Sequence, residues 1–252
     1  MECRMDGRVA IITGGSLGLG RAMALEFARS GAKVAMVARR AEVLEEAKAE
    51  ILAAAPGVLV NGYPCDMCDA SAINAMHASV VADLGDVSIV VNNAGTSNTR
   101  TPIAFDDLDA MSEAFWAKIM QTNLIGAFRC ARAASSALRL AEGVIVNTAS
   151  VAGLGVPGSS IAYGASKAGL INLTRSLAHA LAPEVRVNAV APGLVRTPWT
   201  DPWPDERKAQ TIDNCLLDRM VEPEEIAATM LFLACNPAIT GQTVAVDCGR
   251  TS

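Results

Sequence analysis

Histidine is almost absent from the sequence: His77 and His179 are the only two in 252 residues. A zinc site would have to be built largely from cysteine, and the cysteines do not supply one. There are seven, at positions 3, 65, 68, 130, 215, 235 and 248, an odd number at irregular spacing. A chain of this length buries enough apolar surface to need no covalent staples, so reduced thiols are expected. Cys65 and Cys68 stand in a CDMC quartet, a spacing that invites a metal or redox reading. No second pair and no matching histidines complete it; small buried thiols are the alternative, and no metal is expected.

Long apolar runs and charge of one sign are also missing. Lysine and arginine total 21 against 26 acids, intermingled along the chain for a net charge of −5, so no basic stripe offers itself to nucleic acid or an anionic membrane. No apolar run approaches the roughly 18 residues of a membrane span. The first residues, MECRMDGRV, carry charges and a glycine where a secretory signal needs about 7–15 apolar residues. The expectation is a cytoplasmic protein with neither nucleic-acid nor membrane partners. No Pro/Gly/Ser linker or repeat divides the chain, so residues 1–252 are read as one domain.

What is present is a rhythm. Apolar, β-branched runs recur as VAIIT (9–13), KVAMVA (33–38), VLVNGYPC (58–65), VSIVVNN (87–93), GVIVNTAS (143–150), VRVNAVAP (185–192) and TVAVD (243–247), with helical patterns between them. This is the βαβ signature of an α/β doubly wound, Rossmann-like fold: a seven-stranded parallel sheet with helices on both faces. Helices are expected over 18–30, ending at Gly31, and over 41–55, ending at Pro56-Gly57. Long Ala-rich helical stretches follow at about 106–140 and 162–182, and Glu222-Pro223-Glu224-Glu225 opens another helix. The segment 197–215, TPWTDPWPDERKAQTIDNC, holds two of the three tryptophans and reads as a long loop, either a substrate lid or a piece that Trp199 and Trp203 pack down.

Between the first strand and first helix lies TGGSLGLG (13–20). Glycines there let the backbone approach a pyrophosphate, while the helix start offers unpaired N–H groups and a partial positive charge. The spacing Gly14, Gly18, Gly20 is G-x-x-x-G-x-G rather than the usual G-x-G-x-x-G, so a tight packing turn is the competing reading. Tyr163 and Lys167, in YGASK, share one helical face at i and i+4. An ammonium beside a phenol lowers its pKa, which makes Tyr163 a candidate general acid/base. Ser150 closes a strand end, where open α/β sheets place their ligands, and VVNNAG (90–95) and NAVAPG (188–193) end two further strands in the same polar way.

With these motifs the chain resembles the short-chain dehydrogenase/reductase family in its common short form. The likeness runs in order over nearly the whole chain: TGGSLGLG (13–20), NNAG (92–95), Asn123 in QTNLIGAF, Ser150, YGASK (163–167), PGLVRT (192–197) and TGQTVAVD (240–247). It departs at Cys248, where glycine is common, and in the individual segment 197–215. The resemblance implies that Tyr163 exchanges a proton with the substrate oxygen and that Ser150 hydrogen-bonds the same oxygen. Lys167 would hold the nicotinamide ribose and lower the Tyr163 pKa, and Asn123 would hold a water linking Lys167 to solvent. It further implies that Gly14, Ser16, Leu17, Gly18, Leu19 and Gly20 surround the cofactor phosphates. Asp66 and Met67 would border the adenine, Asp66 being alternatively or additionally an N-cap of the following helix. Asn93, Ala94 and Gly95 would line the ribose wall, with Pro192 and Gly193 at a neighbouring strand end, and Val195 and Thr197 would hold the carboxamide.

NADP(H) is expected over NAD(H). Ala38 stands where a protein built for NAD usually has an acidic residue, and Arg39 and Arg40 follow with guanidiniums suited to a 2′-phosphate. Against this, the arginines could simply solvate the helix start, and Leu17 leaves the glycine loop without a basic residue. The expected reaction interconverts a ketone and a secondary alcohol. A 3-oxoacyl carrier-protein reductase, docking through Arg129, Arg132 and Arg175, is one alternative; a catalytically silent dinucleotide-binding regulator is another. A sugar-nucleotide epimerase or dehydratase would need a substrate lobe for which the chain has no room. Trp199, Trp203, Val151, Leu154, Val156 and Ile161 suggest a mainly apolar substrate pocket. The resemblance also implies a homotetramer built through the two long helical stretches and the last strand.

Overall fold

Alternation within each strand feeds two separate cores. In β1 (Val9–Thr13), Ala10 and Ile12 point to one face of the sheet while Val9 and Ile11 point to the other. The computed structural model, which describes residues 3–252, continues this pattern through β2 (Lys33–Ala38), β3 (Val60–Pro64), β4 (Val87–Asn92), β5 (Val144–Thr148), β6 (Arg186–Pro192) and β7 (Thr243–Val246). The first core joins the sheet to α1 (Gly18–Arg29), α2 (Ala41–Ala54) and α8 (Pro223–Cys235) through Phe27, Leu44, Ile51 and Met230. The second joins it to α3 (Ala70–Leu84), α5 (Gly126–Leu140) and α6 (Ile161–Leu181) through Ile73, Val80, Leu138 and Leu177. Covered on both faces, β1, β4 and β5 are buried at every residue, which is why they read as unbroken apolar runs.

All neighbours pair in parallel in the order β3-β2-β1-β4-β5-β6-β7. The chain winds outward from β1 to β3, then returns across the sheet to lay β4 on the other side of β1. That reversal opens a crevice at the carboxyl ends of β1 and β4. The two ends are latched: the Asn93 and Ala94 N–H groups both donate to Thr13 Oγ1 at 3.0 Å, and Asn93 Nδ2 donates to the Thr13 carbonyl at 3.1 Å.

The helix starts follow their caps. Asp69 accepts from the Ser71 and Ala72 N–H groups at the head of α3, so Asp66 is not its N-cap; the Asp66 carboxylate instead accepts from the Cys68 N–H, inside the loop before the helix. Glu222 and Glu225 cap each other reciprocally at α8, with Pro223 at its first position. The long stretch expected from 106 begins later, at α4 (Glu113–Met120), because the Ser112 side chain accepts from the Phe115 N–H there; residues 121–125 then form one π-helical turn before α5. The segment 197–215 is not all loop, since Asp205–Ile212 forms the short helix α7. Among the described residues no helix is long and apolar enough to cross a membrane.

Candidate active site

The glycine loop is fixed by sterics. Gly14 and Gly18 take φ of +68° and +49°, values that strain an L side chain. At Gly20 a Cβ would lie 2.0 Å from the Gly14 carbonyl oxygen, so only glycine lets the first turn of α1 fold back on the end of β1. Side chains cap α3, α4, α6 and α8, but none caps α1, whose first turn also carries no acid. Its amides and its share of the helix dipole are left facing the crevice, the environment a pyrophosphate requires.

Two adjoining cavities, of about 620 and 590 Å³, share the walls Gly14, Leu17, Ala94, Gly95 and Thr96. The smaller is lined by Ser16, Arg39, Arg40, Asp66 and Met67, with Lys118 and Thr122. The larger is lined by Gly18, Leu19, Gly20 and Asn93, by Pro192, Gly193, Val195 and Thr197, and by Ser150, Tyr163 and Lys167. Every residue expected to touch a dinucleotide thus lines one continuous cleft. The fit covers a phosphate cradle and, at Arg39 and Arg40, two guanidiniums that make no salt bridge among the described residues, with Arg39 acting electrostatically on Asp66 in the same cavity.

Ser150 follows β5 and caps the 3₁₀ turn Val151–Leu154, its Oγ accepting from the Ala152 N–H at 3.1 Å. That turn lies directly on α6: a Cβ on Gly153 would come within 2.7 Å of the Lys167 carbonyl carbon. Ser160 caps α6 by accepting from the Tyr163 N–H at 3.1 Å, which sets the helix so that Tyr163 and Lys167 face the cavity together. Ser150 lies near enough to the Tyr163 phenol to lower its pKa. Lys167 is 3% exposed, donates from Nζ to the Thr148 carbonyl at 2.6 Å and stands 5.7 Å from the Tyr163 ring centroid.

Burial governs the charges here. It pushes the Tyr163 phenol up to about 12, against a smaller lowering from Ser150, and pushes the Lys167 ammonium down to about 8. Desolvation, and not the expected depression by the lysine, therefore governs the tyrosine. At neutral pH the phenol holds its proton and the amine is mostly charged, a pair set to donate.

Asn123 does not line the cleft. It sits in the π-helical turn, 1% exposed, with Oδ1 accepting from the Thr96 N–H at 2.8 Å and Nδ2 donating to the Thr96 carbonyl and to Ser166 Oγ, both at 3.0 Å. Ser166 in turn donates to the Tyr163 carbonyl at 2.8 Å. Asn123 Oδ1 and Lys167 Nζ both border Gly95, at 3.4 and 3.7 Å from the position its Cβ would occupy. The asparagine thus ties the strand-end loop to the catalytic helix.

Of the side chains expected to make an apolar pocket, Val151, Val156, Trp199 and Trp203 line the cavity, while Leu154 and Ile161 do not. Trp199 stands 6.1 Å from the Tyr163 ring at a tilt of 58°. Arg100, Arg207 and Arg250 were not expected and also line it. Nor were Thr148 and Gly153 singled out, although both fall within quoted or adjacent motif sequence. Arg129 donates to the Met67 and Cys68 carbonyls and Arg132 lies over the Phe128 ring, so two of the three proposed carrier-docking arginines have local partners. Burial raises the thiols of Cys65 and Cys130, to about 11 and about 12, which suits packing rather than reactivity.

The family model described as enoyl-(acyl carrier protein) reductase matches residues 14–251. Meso-2,3-butanediol dehydrogenase of Serratia marcescens is 35% identical over 254 residues, covering 99% of this chain and 96% of that one. A 3-oxoacyl-[acyl-carrier-protein] reductase of Staphylococcus aureus is 39% identical over 250 residues, covering 95% and 96%. The solved structure of levodione reductase superposes with a TM-score of 0.90 at 32% identity, covering 98% of both chains. The chain belongs to the short-chain dehydrogenase/reductase family. It is an NAD(P)-dependent oxidoreductase of that family, with the Rossmann-like α/β fold its strand rhythm implied. Cys248 is one of four non-glycine residues with positive φ, at +56°, beside Asn98, Glu142 and Asp218.

Proposed function

We propose that this oxidoreductase interconverts a ketone and a secondary alcohol with NADP(H), reduction being the working direction. The observation that carries the reading is the meeting of Ser150, Tyr163 and Lys167 in one cavity that the glycine loop also lines. In reduction the Tyr163 phenol gives its proton to the carbonyl oxygen while Ser150 Oγ–H donates a hydrogen bond to the same atom, stabilising charge as it develops there. Bound NADPH supplies the hydride. Lys167 holds the nicotinamide ribose and, as an ammonium beside the ring, favours the phenolate left after transfer. Asn123 is a positioning residue: it braces Ser166 under Tyr163, and its Oδ1 beside Gly95 can hold a water that returns a proton toward Lys167.

Arg39 and Arg40, with Ala38 rather than an acid before them, receive the 2′-phosphate. Residues 1–252 act as one domain carrying both cofactor and substrate, with 197–215 covering the substrate end. The enzyme works in the cytoplasm and, by family resemblance, as a homotetramer. The 39% identical carrier-protein reductase supports a second reading, reduction of a 3-oxoacyl carrier-protein substrate.

Fluorescence titration with NADPH and NADH, followed by turnover of a ketone panel by the parent and Tyr163→Phe, tests the proposal. Tighter NADPH binding is expected, with a loss of about 10²–10⁴-fold in kcat for Tyr163→Phe and little change in cofactor affinity. Preference for NADH refutes the role of the two arginines. Full activity in Tyr163→Phe refutes the mechanism.

A further inference from the structure

The lining of the larger cavity is cationic. Arg100, Lys167, Arg207 and Arg250 line it, and no aspartate or glutamate does. This holds in a chain where acids outnumber bases, 26 to 21. Elsewhere arginines find carboxylates, as in Arg21–Glu50, Arg196–Glu222 and Arg219–Glu225, yet among the described residues none of the three cavity arginines does.

Arg250 is the sharpest case. It follows β7 near the end of the chain, and its Nε is buried without a hydrogen-bond partner. The Ser159 hydroxyl, 3% exposed and lining the same cavity, is also unpartnered. A buried guanidinium nitrogen without an acceptor and a buried hydroxyl without a partner are costly unless something arrives to bind them. Arg207 is held in place rather than orphaned: its Nη2 donates to the Gly158 carbonyl at 3.1 Å and its guanidinium lies 5.6 Å over the Trp203 ring. Gly158 abuts the Tyr163 ring, since a Cβ there would be 3.2 Å from a ring carbon. The cationic group is thereby fixed on the same wall as the proton donor, with Val151, Val156 and Trp199 lining the cavity alongside. The expected dinucleotide contacts lie on other elements, the glycine loop and the end of β2.

We infer that the substrate is an oxo acid, a ketone whose carboxylate is received by Arg250 and Arg207, which line the cavity that also holds Ser150, Tyr163 and Lys167. This rests on the ketone-reductase reading above and replaces the neutral ketone that the sequence alone suggested. The arginine fork matches a carboxylate in two parallel hydrogen bonds, so exchanging that carboxylate for a neutral amide leaves buried donors unsatisfied.

The test measures kcat/KM for 3-oxobutanoate, 4-oxopentanoate and 5-oxohexanoate, each beside its primary amide, with NADPH and again with NADH. Parent protein, Arg207→Gln and Arg250→Gln are compared, and the readout is the ratio of acid to amide. For at least one chain length the parent is expected to prefer the acid by tenfold or more, and each substitution to lower that ratio about tenfold. A parent that turns over the amides as well as the acids, or substitutions that leave the ratio unchanged, would overturn the inference. If no carbonyl compound turns over, calorimetric titration of the oxo acids into protein saturated with NADP⁺ separates the two claims. Acid binding that weakens in Arg250→Gln keeps the anion site and removes the reductase reading, whereas absence of acid binding removes the anion site.

Discussion

Lys167 shows most plainly what one residue costs the fold. Its ammonium is surrounded by protein, and its folded pKa of about 8 lies below the ordinary 10.5. A lowered lysine pKa means the folded state binds fewer protons than the unfolded one, so the penalty is complete below about pH 8 and fades as pH rises toward 10.5. Lys167→Met is expected to lose turnover yet melt higher near pH 7, by an order of ~1–3 kcal/mol after allowing for the Thr148 carbonyl left without its donor. Melting curves between pH 7 and 10.5 check this: the advantage of the variant should shrink across that window, and an advantage that grows with pH would show the sign to be wrong. The pairing of Tyr163 with Lys167 was legible in the sequence because i and i+4 share a helical face. The dominance of burial over their mutual effect was not, since it depends on how tightly β5 and the 3₁₀ turn close over α6. Arg100, Arg207 and Arg250 were invisible for a related reason: they come from three distant irregular or short segments, and no local pattern links them.

At the scale of elements, each strand run was legible to within a residue or two at its ends, because two-sided burial leaves a run of β-branched residues that nothing else in the chain imitates. Helices were legible where an apolar stripe had to face a core. Asp205–Ile212 was missed because it buries none of its residues and so has no stripe to read. The late start of α4 was missed because composition spoke for helix from 106 onward, whereas the Ser112 cap decides where the backbone turns. The glycine loop is a tight packing turn, Gly20 approaching Gly14, and Leu17 at the N-cap leaves the head of α1 without a side-chain cap, so the packing reading and the proposed phosphate cradle are compatible. Gly20→Ala tests whether the cradle depends on the turn. With a Cβ 2.0 Å from a backbone oxygen, the first turn of α1 must shift. The expected result is destabilisation of at least ~1–3 kcal/mol together with loss of NADPH binding, read by thermal melting and fluorescence titration. Normal cofactor affinity in that variant would mean that the cradle tolerates a displaced helix.

For the whole molecule, cofactor binding and stability are linked. The cleft draws its walls from the ends of β1, β2, β4, β5 and β6, so a ligand filling it bridges most of the sheet and binds the folded state alone. NADPH at 100 times its dissociation constant should add about 2.7 kcal/mol, or roughly 5–10 °C in the melting midpoint for a chain of this size. Differential scanning calorimetry with NADPH and NADH at equal concentration gives the cofactor preference independently of turnover, and equal shifts would count against the role of Arg39 and Arg40.

The latch between Thr13 and Asn93 has a consequence for synthesis. The hydroxyl and carbonyl that finish the glycine loop meet their partners some 80 positions later in the chain. A nascent polypeptide emerging from the ribosome can pair β1 with β2 and β2 with β3 early, yet it has no finished cradle until β4 is out and has slid in beside β1. Through that interval the edge of β1 that will receive β4 is open, so the first third of the protein must be protected by something other than its own cofactor.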